Sequence, residues 1–321
     1  MNKNIEFNQQ LIDAVEKAYP KKNDQIRLLT DVIHLGKEAA YRRLRGEVPF
    51  SFAEACILSK SLNISLNKIA QLDKLGTPVF ELRIHPNDLM NYEYHKLFEH
   101  EDSFNMLQGG SVLFTLSACS TIPYSFFLPY ENLSKYRLFK WIYQTENKLV
   151  PSKFSDIVLP KNIQEKQEEL GEKLLKMPEN SFIFDRGMFV SCLNEFKYFH
   201  KLGLLSSKEF ELLKGEFLQS VGDLESLAVH GKNKVGERVW VYLSNIDFDS
   251  NYTYVQGVDF EAAYMDGVYL MDTIVSNDPH ICRMHREWIE SLRKYSTLIS
   301  VSGEMERRVF FDEQRRLVNE S

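Results

Sequence analysis

From Asp24 to Ala70 the chain runs through short helical segments separated by brief turns, and this series restricts the stretch to a small all-helical unit. Ile26, Leu29, Val32 and Ile33 recur at helical spacing, and Asn23 or Asp24 is expected to cap the first turn. His34-Leu35-Gly36 breaks the pattern, and the cationic segment "KEAAYRRLRGE" follows at once. On a helical wheel Lys37, Glu38, Tyr41, Arg42 and Arg45 share an arc of roughly 140 degrees, while Ala39, Ala40 and Arg43 take the other side. Gly46 is placed to end that helix in a left-handed conformation. Pro49 blocks its continuation, and Ser51 with Glu54 forms a capping box that opens the next helix. Ala55, Ile57, Leu58 and Leu62 carry its apolar face, and Ser65 is placed to cap a short fifth helix.

A helix exposing long cationic side chains on one side, and small ones on the other, suits a phosphate backbone with base edges beneath it. Arginine can fork onto guanine and can also pair with phosphate. Charge is distributed to match: residues 1–76 hold twelve Lys and Arg against nine Asp and Glu, whereas the remainder holds 27 against 36. A local excess of positive charge on an otherwise acidic chain attracts nucleic acid to one end only.

The string "AAYRRLRGEVPFSFAEACILSKSLNISLNKI" resembles the Cro/CI-type (XRE-like) helix-turn-helix family over roughly residues 8 to 73. The resemblance implies a transcriptional regulator that binds double-stranded DNA as a homodimer on a two-fold site. Lys37, Glu38, Tyr41 and Arg42 would meet base edges or nearby phosphates, and Arg45 the backbone. This chain departs from the pattern at three positions: Thr30 stands for a smaller residue, His34 for the turn glycine, and Arg43 for an apolar residue.

Gly76-Thr77-Pro78 combines a helix stop with a residue that cannot continue a helix, and marks the expected boundary between a DNA-binding domain, 1–76, and a body, 77–321. The body is aromatic: Phe7, Tyr19, Tyr41, Phe50 and Phe52 are the only Phe, Tyr or Trp before it. Apolar spacing predicts helices over 88–108, 133–144, 162–176, 186–202, 206–230 and 280–295, with a capping box at Ser206 and Glu209 and stops at Gly203 and Gly231. The helices at 186–202 and 206–230 read as an antiparallel hairpin. Strands are expected at 238–245 and 251–255, joined as a hairpin through "DFDSN", then at 268–273 and 298–302, before a terminal helix from Gly303. The expected fold is α+β and mostly helical, with a five-helix N-terminal domain and a mixed α+β body that dimerises and senses a ligand.

Other constellations carry less chemistry. His95, Glu99 and His100 miss the inverted zinc-protease spacing by one residue. Asp247, Asp249 and Asn251 start like a calcium loop, but Tyr252 and Val258 stand where Gly and Glu are needed. His280, Cys282 and His285 read as a helix start instead of a zinc site, and Cys56, Cys119, Cys192 and Cys282 match no metal or redox spacing. The six Lys and Arg in "WIESLRKYSTLISVSGEMERRVFFDEQRRLV" are interspersed with acids, as in a solvated helix pair or a dimer contact. With no nucleophile elbow, phosphate loop or dinucleotide fingerprint, neither enzymatic activity nor a cofactor is expected. The absence of a signal core or a membrane-length apolar run gives a cytoplasmic expectation. Two other readings stay open: a scaffold protein that uses the helix-turn-helix for pairing, and a DNA-tethered enzyme with its site in the body.

Overall fold

The computed structural model describes residues 3–62, 64–69, 80–83, 112–145, 150–159, 161–268 and 272–320. The chain divides into two compact units, Met1–Val79 and Phe80–Ser321. The predicted helix at 88–108, with His95, Glu99 and His100, lies outside the described residues, as does Gly76-Thr77-Pro78.

The first unit has helices α1 (Lys3–Ala18), α2 (Lys22–Val32), α3 (Lys37–Leu44), α4 (Phe52–Leu62) and α5 (Leu66–Ile69). One apolar core joins them through Leu11 and Val15 of α1, Ile26 and Leu29 of α2, Ala40 and Leu44 of α3, and Leu58 of α4. The expected cap of α2 is corrected: the helix starts at Lys22, ahead of Asn23 and Asp24, and its N-cap Lys21 makes no side-chain cap bond. Asp24 instead lies in the first turn, where its charge still meets the positive end of the helix. Gly46 is left-handed, at φ +72°, and the Ser51–Glu54 box forms in both directions, at 2.6 and 3.3 Å.

The second unit is α+β, built on an eight-stranded mixed sheet of order β1-β7-β6-β5-β2-β3-β4-β8. Its strands are β1 (Glu81–Arg83), β2 (Val112–Cys119), β3 (Glu179–Phe184), β4 (Arg238–Ser244), β5 (Asn251–Gly257), β6 (Glu261–Val268), β7 (Asp272–Ser276) and β8 (Ser296–Leu298). Strands β2, β3 and β4 run parallel at the centre, and the flanking pairs are antiparallel. The helices are α6 (Glu131–Thr145), α7 (Lys161–Leu175), α8 (Val190–Lys201), α9 (Ser207–His230), α10 (Pro279–Lys294) and α11 (Glu304–Asn319).

Alternation along the strands divides the body into two cores. Leu116 and Ala118 of β2, Ile183 of β3 and Tyr254 of β5 meet Ile281, Cys282, Ile289 and Leu292 of α10. The opposite side chains, among them Phe184, Val241 and Leu243, join a larger core with α6, α8, α9 and α11. That core is aromatic: Phe196 meets Tyr136 edge-on at 4.6 Å and Phe217 at 5.6 Å. Such pairs add roughly 0.5–1.5 kcal/mol to what burial alone provides.

The Ser206–Glu209 capping box and the left-handed Gly203 and Gly231 form as expected, and α8 packs against α9. Three strand expectations are corrected, the first being the one at 298–302, since β8 ends at Leu298 and residues 299–302 are not strand. The segments at 238–244 and 251–257 are not a hairpin, since β4 pairs with β3 and β8 whereas β5 pairs with β2 and β6. The link between them is drawn away from a tight turn: the Asn245 amide donates to the Tyr295 carbonyl at 2.9 Å, and Arg186 donates to the Ser244 carbonyl at 3.2 Å. Residues 268–273 are not one strand, because β6 ends at Val268 and β7, its antiparallel neighbour, starts at Asp272.

Gly303 precedes α11 at φ +67°, and a Cβ there would run into the Leu298 carbonyl oxygen, which belongs to β8. Gly303→Ala is therefore expected to lose about 2–4 kcal/mol, since strained backbone and a backbone clash add. A urea midpoint unchanged from the native protein would contradict this tight approach.

Candidate nucleic-acid interface and ligand cavity

In the first unit α3 buries Ala40 and Leu44 and leaves Lys37, Glu38, Tyr41, Arg42 and Arg45 exposed on one face. His34 takes φ +60° in the turn between α2 and α3. Histidine is among the residues that enter this region more readily than most, so the turn is kept at some strain. Arg42 and Arg45 lie near carboxylates, at 3.6 Å from Glu47 for the first, and 3.0 Å from Glu47 and 3.8 Å from Glu38 for the second. All four side chains are about half exposed or more, so these contacts are weak and exchangeable.

Arg43 differs. Its guanidinium forks onto Glu54, with Nη2 at 3.0 Å and Nε at 3.2 Å, and both side chains are less than a fifth exposed. Glu54 also accepts from the Ser51 backbone N–H, so one carboxylate caps α4 and ties it to α3. Burial raises the Glu54 carboxyl, but the bonds from Arg43 and Ser51, with the charge of Arg43, outweigh burial and hold it below the usual carboxylate range. The charge of Arg43 is thereby accommodated at a shielded position, because α4 carries the matching acid.

In the second unit a cavity of about 1130 Å³ opens over the sheet on the side of the aromatic core. Its floor carries Thr115 and Ser117 of β2, Asn180 of β3, Thr253 of β5 and Asp266 of β6, where well-packed sheets carry branched aliphatics. These groups bond one another: Thr115 donates to Asn180 at 2.7 Å, and Ser117 and Thr253 hydroxyls lie 3.1 Å apart. The walls are apolar and come from the 3-10 turn Tyr124–Phe126, from Leu174 and Leu175 of α7, and from Leu224 and Leu227 of α9.

Hydrogen bonds hold these walls together. Gln167 of α7 donates to the Tyr124 hydroxyl at 2.5 Å, and Tyr130 donates to Asp223 of α9 at 2.9 Å. Asn233 donates to the Leu175 carbonyl at 2.6 Å, which closes the turn after α9 onto the end of α7. Burial pushes both phenols up, with the Asp223 bond adding to this for Tyr130, so both are neutral at pH 7, Tyr130 as a donor and Tyr124 as an acceptor. A cavity with cross-braced walls is largely preformed, as ligand sites usually are.

Asp266 is the ionisable side chain of the floor, and its carboxyl stands above the usual carboxylate range. Burial pushes its carboxyl up, while the Thr273 hydroxyl, donating at 2.9 Å, and the charge of Arg137 pull it back. The Arg137 guanidinium sits 4.0 Å over the Tyr124 ring. Cys119 also lines the cavity, but burial pushes its thiol up, so it is a neutral packing group and not a nucleophile at pH 7.

The remaining sequence constellations are structural. Asn251 accepts from the Thr121 backbone N–H at 3.0 Å, pinning the end of β2 to β5. Asp278 caps α10, Pro279 starts it, and Cys282 is fully buried, with its thiol pushed up to about 12 by burial. No group of His, Cys, Asp and Glu among the described residues is placed to hold a metal, and no described helix is long and apolar enough to cross a membrane. Of the terminal cations, Arg307 is buried against the Ile299 and Ser302 carbonyls, and Arg315 pairs with Glu225 of α9. Sequence reasoning missed Thr115, Ser117, Asn180, Thr253 and Asp266. The polar alternation Thr115, Ser117 within "VLFTLSAC" was the available signal.

No family model matches the chain, and no curated protein or solved structure does either.

Glu54→Ala is expected to destabilise the first unit by about 2–3 kcal/mol, because it removes a cap and strands the largely buried Arg43. A depressed folded-state carboxyl contributes stability that is present above its unfolded value and lost as pH falls through the folded one. Glu54→Gln should therefore flatten the fall in the urea midpoint between about pH 5 and pH 3. Equal slopes in native and variant would remove Glu54 as the acid-sensitive group.

Proposed function

We propose that the protein is a sequence-specific DNA-binding transcriptional regulator whose first unit is a Cro/CI-type helix-turn-helix domain. The observation that carries the reading is the exposed α3 face, where Lys37, Glu38, Tyr41, Arg42 and Arg45 stand together over a buried Ala40 and Leu44. Further support comes from the turn at 33–36, held by the left-handed His34, and from the positive balance of residues 1–76. In this reading α3 enters the major groove: Lys37, Glu38, Tyr41 and Arg42 meet base edges and nearby phosphates, and Arg45 the backbone. Because Arg42 and Arg45 contact exposed carboxylates only loosely, phosphate can replace those partners at little cost. The protein acts as a homodimer on a two-fold site, and its second unit binds a ligand in the cavity over β2 and β5. A ligand that favours one state of the body then alters DNA affinity by linkage.

A second reading has one observation in its favour. The carboxylates of Glu38 and Glu47 near Arg42 and Arg45 reduce the charge of the face, which suits pairing with another protein. Salt separates the two, because phosphate contacts release counterions and steepen the loss of affinity.

Purified full-length protein incubated with genomic DNA fragments should enrich a small set at low salt and keep it near physiological salt. The double variant Arg42→Ala, Arg45→Ala should lose the enrichment, and its residual binding should show a log–log salt slope shallower by up to about 2. If native protein and variant enrich nothing at either salt, the regulator reading is wrong and the pairing reading stands in its place.

A further inference from the structure

We infer that the cavity of the second unit takes an apolar or aromatic amine, seated with its protonated nitrogen on Asp266 and its hydrocarbon between the 3-10 turn, α7 and α9. This deepens, and rests on, the reading of the second unit as the ligand-binding part of the protein.

The charge pattern selects the head group. Asp266 is the ionisable carboxyl among the floor residues, and Thr273 is its one hydrogen-bond donor among the described residues, so the carboxylate retains acceptor capacity toward the cavity. Arg137, the cation whose field reaches it, stacks on the Tyr124 ring and does not line the cavity. The rim repeats the sign: Glu168, Glu172 and Asp223 stand there against Lys232 and Lys234, and Lys234 is already 3.5 Å from Asp223. A carboxylate ligand would set a second carboxyl beside Asp266 in a poorly solvated site, with no cation among the floor residues to offset it. An ammonium group would add a cation in direct contact with that carboxyl, and its remaining N–H groups would find the Ser117 and Thr253 hydroxyls on the neighbouring strands.

The walls select the rest of the molecule. Phe126, Leu174, Leu224 and Leu227 present carbon, joined by Phe182 from the floor, while the hydrogen-bonding groups lie mainly on the floor and rim. An amphipathic ligand with one polar end fits that division. A sugar or nucleotide, polar on all sides, would leave groups unpaired against the walls.

Gly171 of α7 supplies a block. It lines the cavity, and a Cβ added there meets nothing within 4 Å, so a larger side chain at this position is directed to take up space on the cavity wall. Replacing a mid-helix glycine also raises helix propensity, so Gly171→Leu should fold at least as well as the native chain.

The test uses full-length protein and three probes with one hydrocarbon body: 4-phenylbutylamine, 4-phenylbutanol and 4-phenylbutyrate, titrated by calorimetry. The amine should bind native protein at least roughly tenfold more tightly than the acid, the ratio that 1.4 kcal/mol represents. Gly171→Leu should abolish binding of the amine, and Asp266→Asn should bring amine and alcohol to equal affinity. Should Asp266→Asn not fold, the amine-to-acid ratio on native protein and the Gly171→Leu titration still decide. Acid binding as tight as amine, amine binding that survives Gly171→Leu, or no binding by any probe would each overturn the proposal. DNA enrichment is read separately on the same protein: amine binding without DNA selection leaves the cavity assignment and removes the regulator reading, and the reverse outcome removes only the amine.

Discussion

Strand β2 is covered on both faces, and the rest of the second unit follows from how its side chains meet that condition. Toward α10 it presents Leu116 and Ala118, and the packing there is ordinary apolar contact. Toward the other helices it presents Thr115, Ser117 and Cys119. A buried hydroxyl costs about as much as a lost hydrogen bond unless a partner is found, so Thr115 and Ser117 recruit Asn180 from β3 and Thr253 from β5. Those bonds reach both neighbours of β2 and fix side chains across the parallel-to-antiparallel junction of the sheet. Small polar side chains at the centre also leave the space that α7 and α9 roof over.

The first unit depends on a comparable single group. Glu54 closes the cap of α4 and receives the fork of Arg43, so the helix after the link is oriented against α3 by a charge pair more shielded than any other on that face. The difference between Arg43 and its neighbours Arg42 and Arg45 is one of solvent. Half-exposed pairs are screened and exchangeable, whereas a shielded, bidentate pair keeps its geometry. Neighbouring arginines on one short helix thus divide into one that sets position and two that are available to a partner.

Local signals in the sequence were enough for most of the described helices, the cap of α2 excepted, and insufficient for the sheet. Capping chemistry acts within one turn of chain, which is why Ser51–Glu54, Ser206–Glu209, Gly46 and Gly231 were legible, and why α8 and α9 could be placed as neighbours. Strands β2 and β3 were not recognised. Each is buried on both faces, so neither gives a clean alternation, and the partners of Thr115 and Ser117 lie 65 and 136 residues away. The apparent hairpin around 245–250 failed for the same reason: the turn residues report that the chain reverses, but pairing was decided by β2 and β3, which lie between β4 and β5. On the α3 face all five expected residues are exposed together, because helical periodicity places them there. The cavity floor was beyond reach, since its residues come from strands whose order only the folded sheet defines.

The hydroxyl floor supports the proposed ligand site over a packing fault. Protein interiors hold few voids larger than a water molecule, and replacing Thr or Ser by Val or Leu is the simplest way to close one. Here Thr115, Ser117 and Thr253 keep the floor low, and Gly171 keeps α7 free of a side chain where there is room for one. Each is a choice against stability: the hydroxyls bury polar atoms, and the glycine weakens its helix by about 1 kcal/mol relative to alanine. Structural economy favours the opposite residue at all these positions. Their coincidence around one carboxyl, Asp266, is what a preorganised binding surface requires, with strength invested in the bracing bonds of Gln167, Tyr130 and Asn233 and withheld from the space between them.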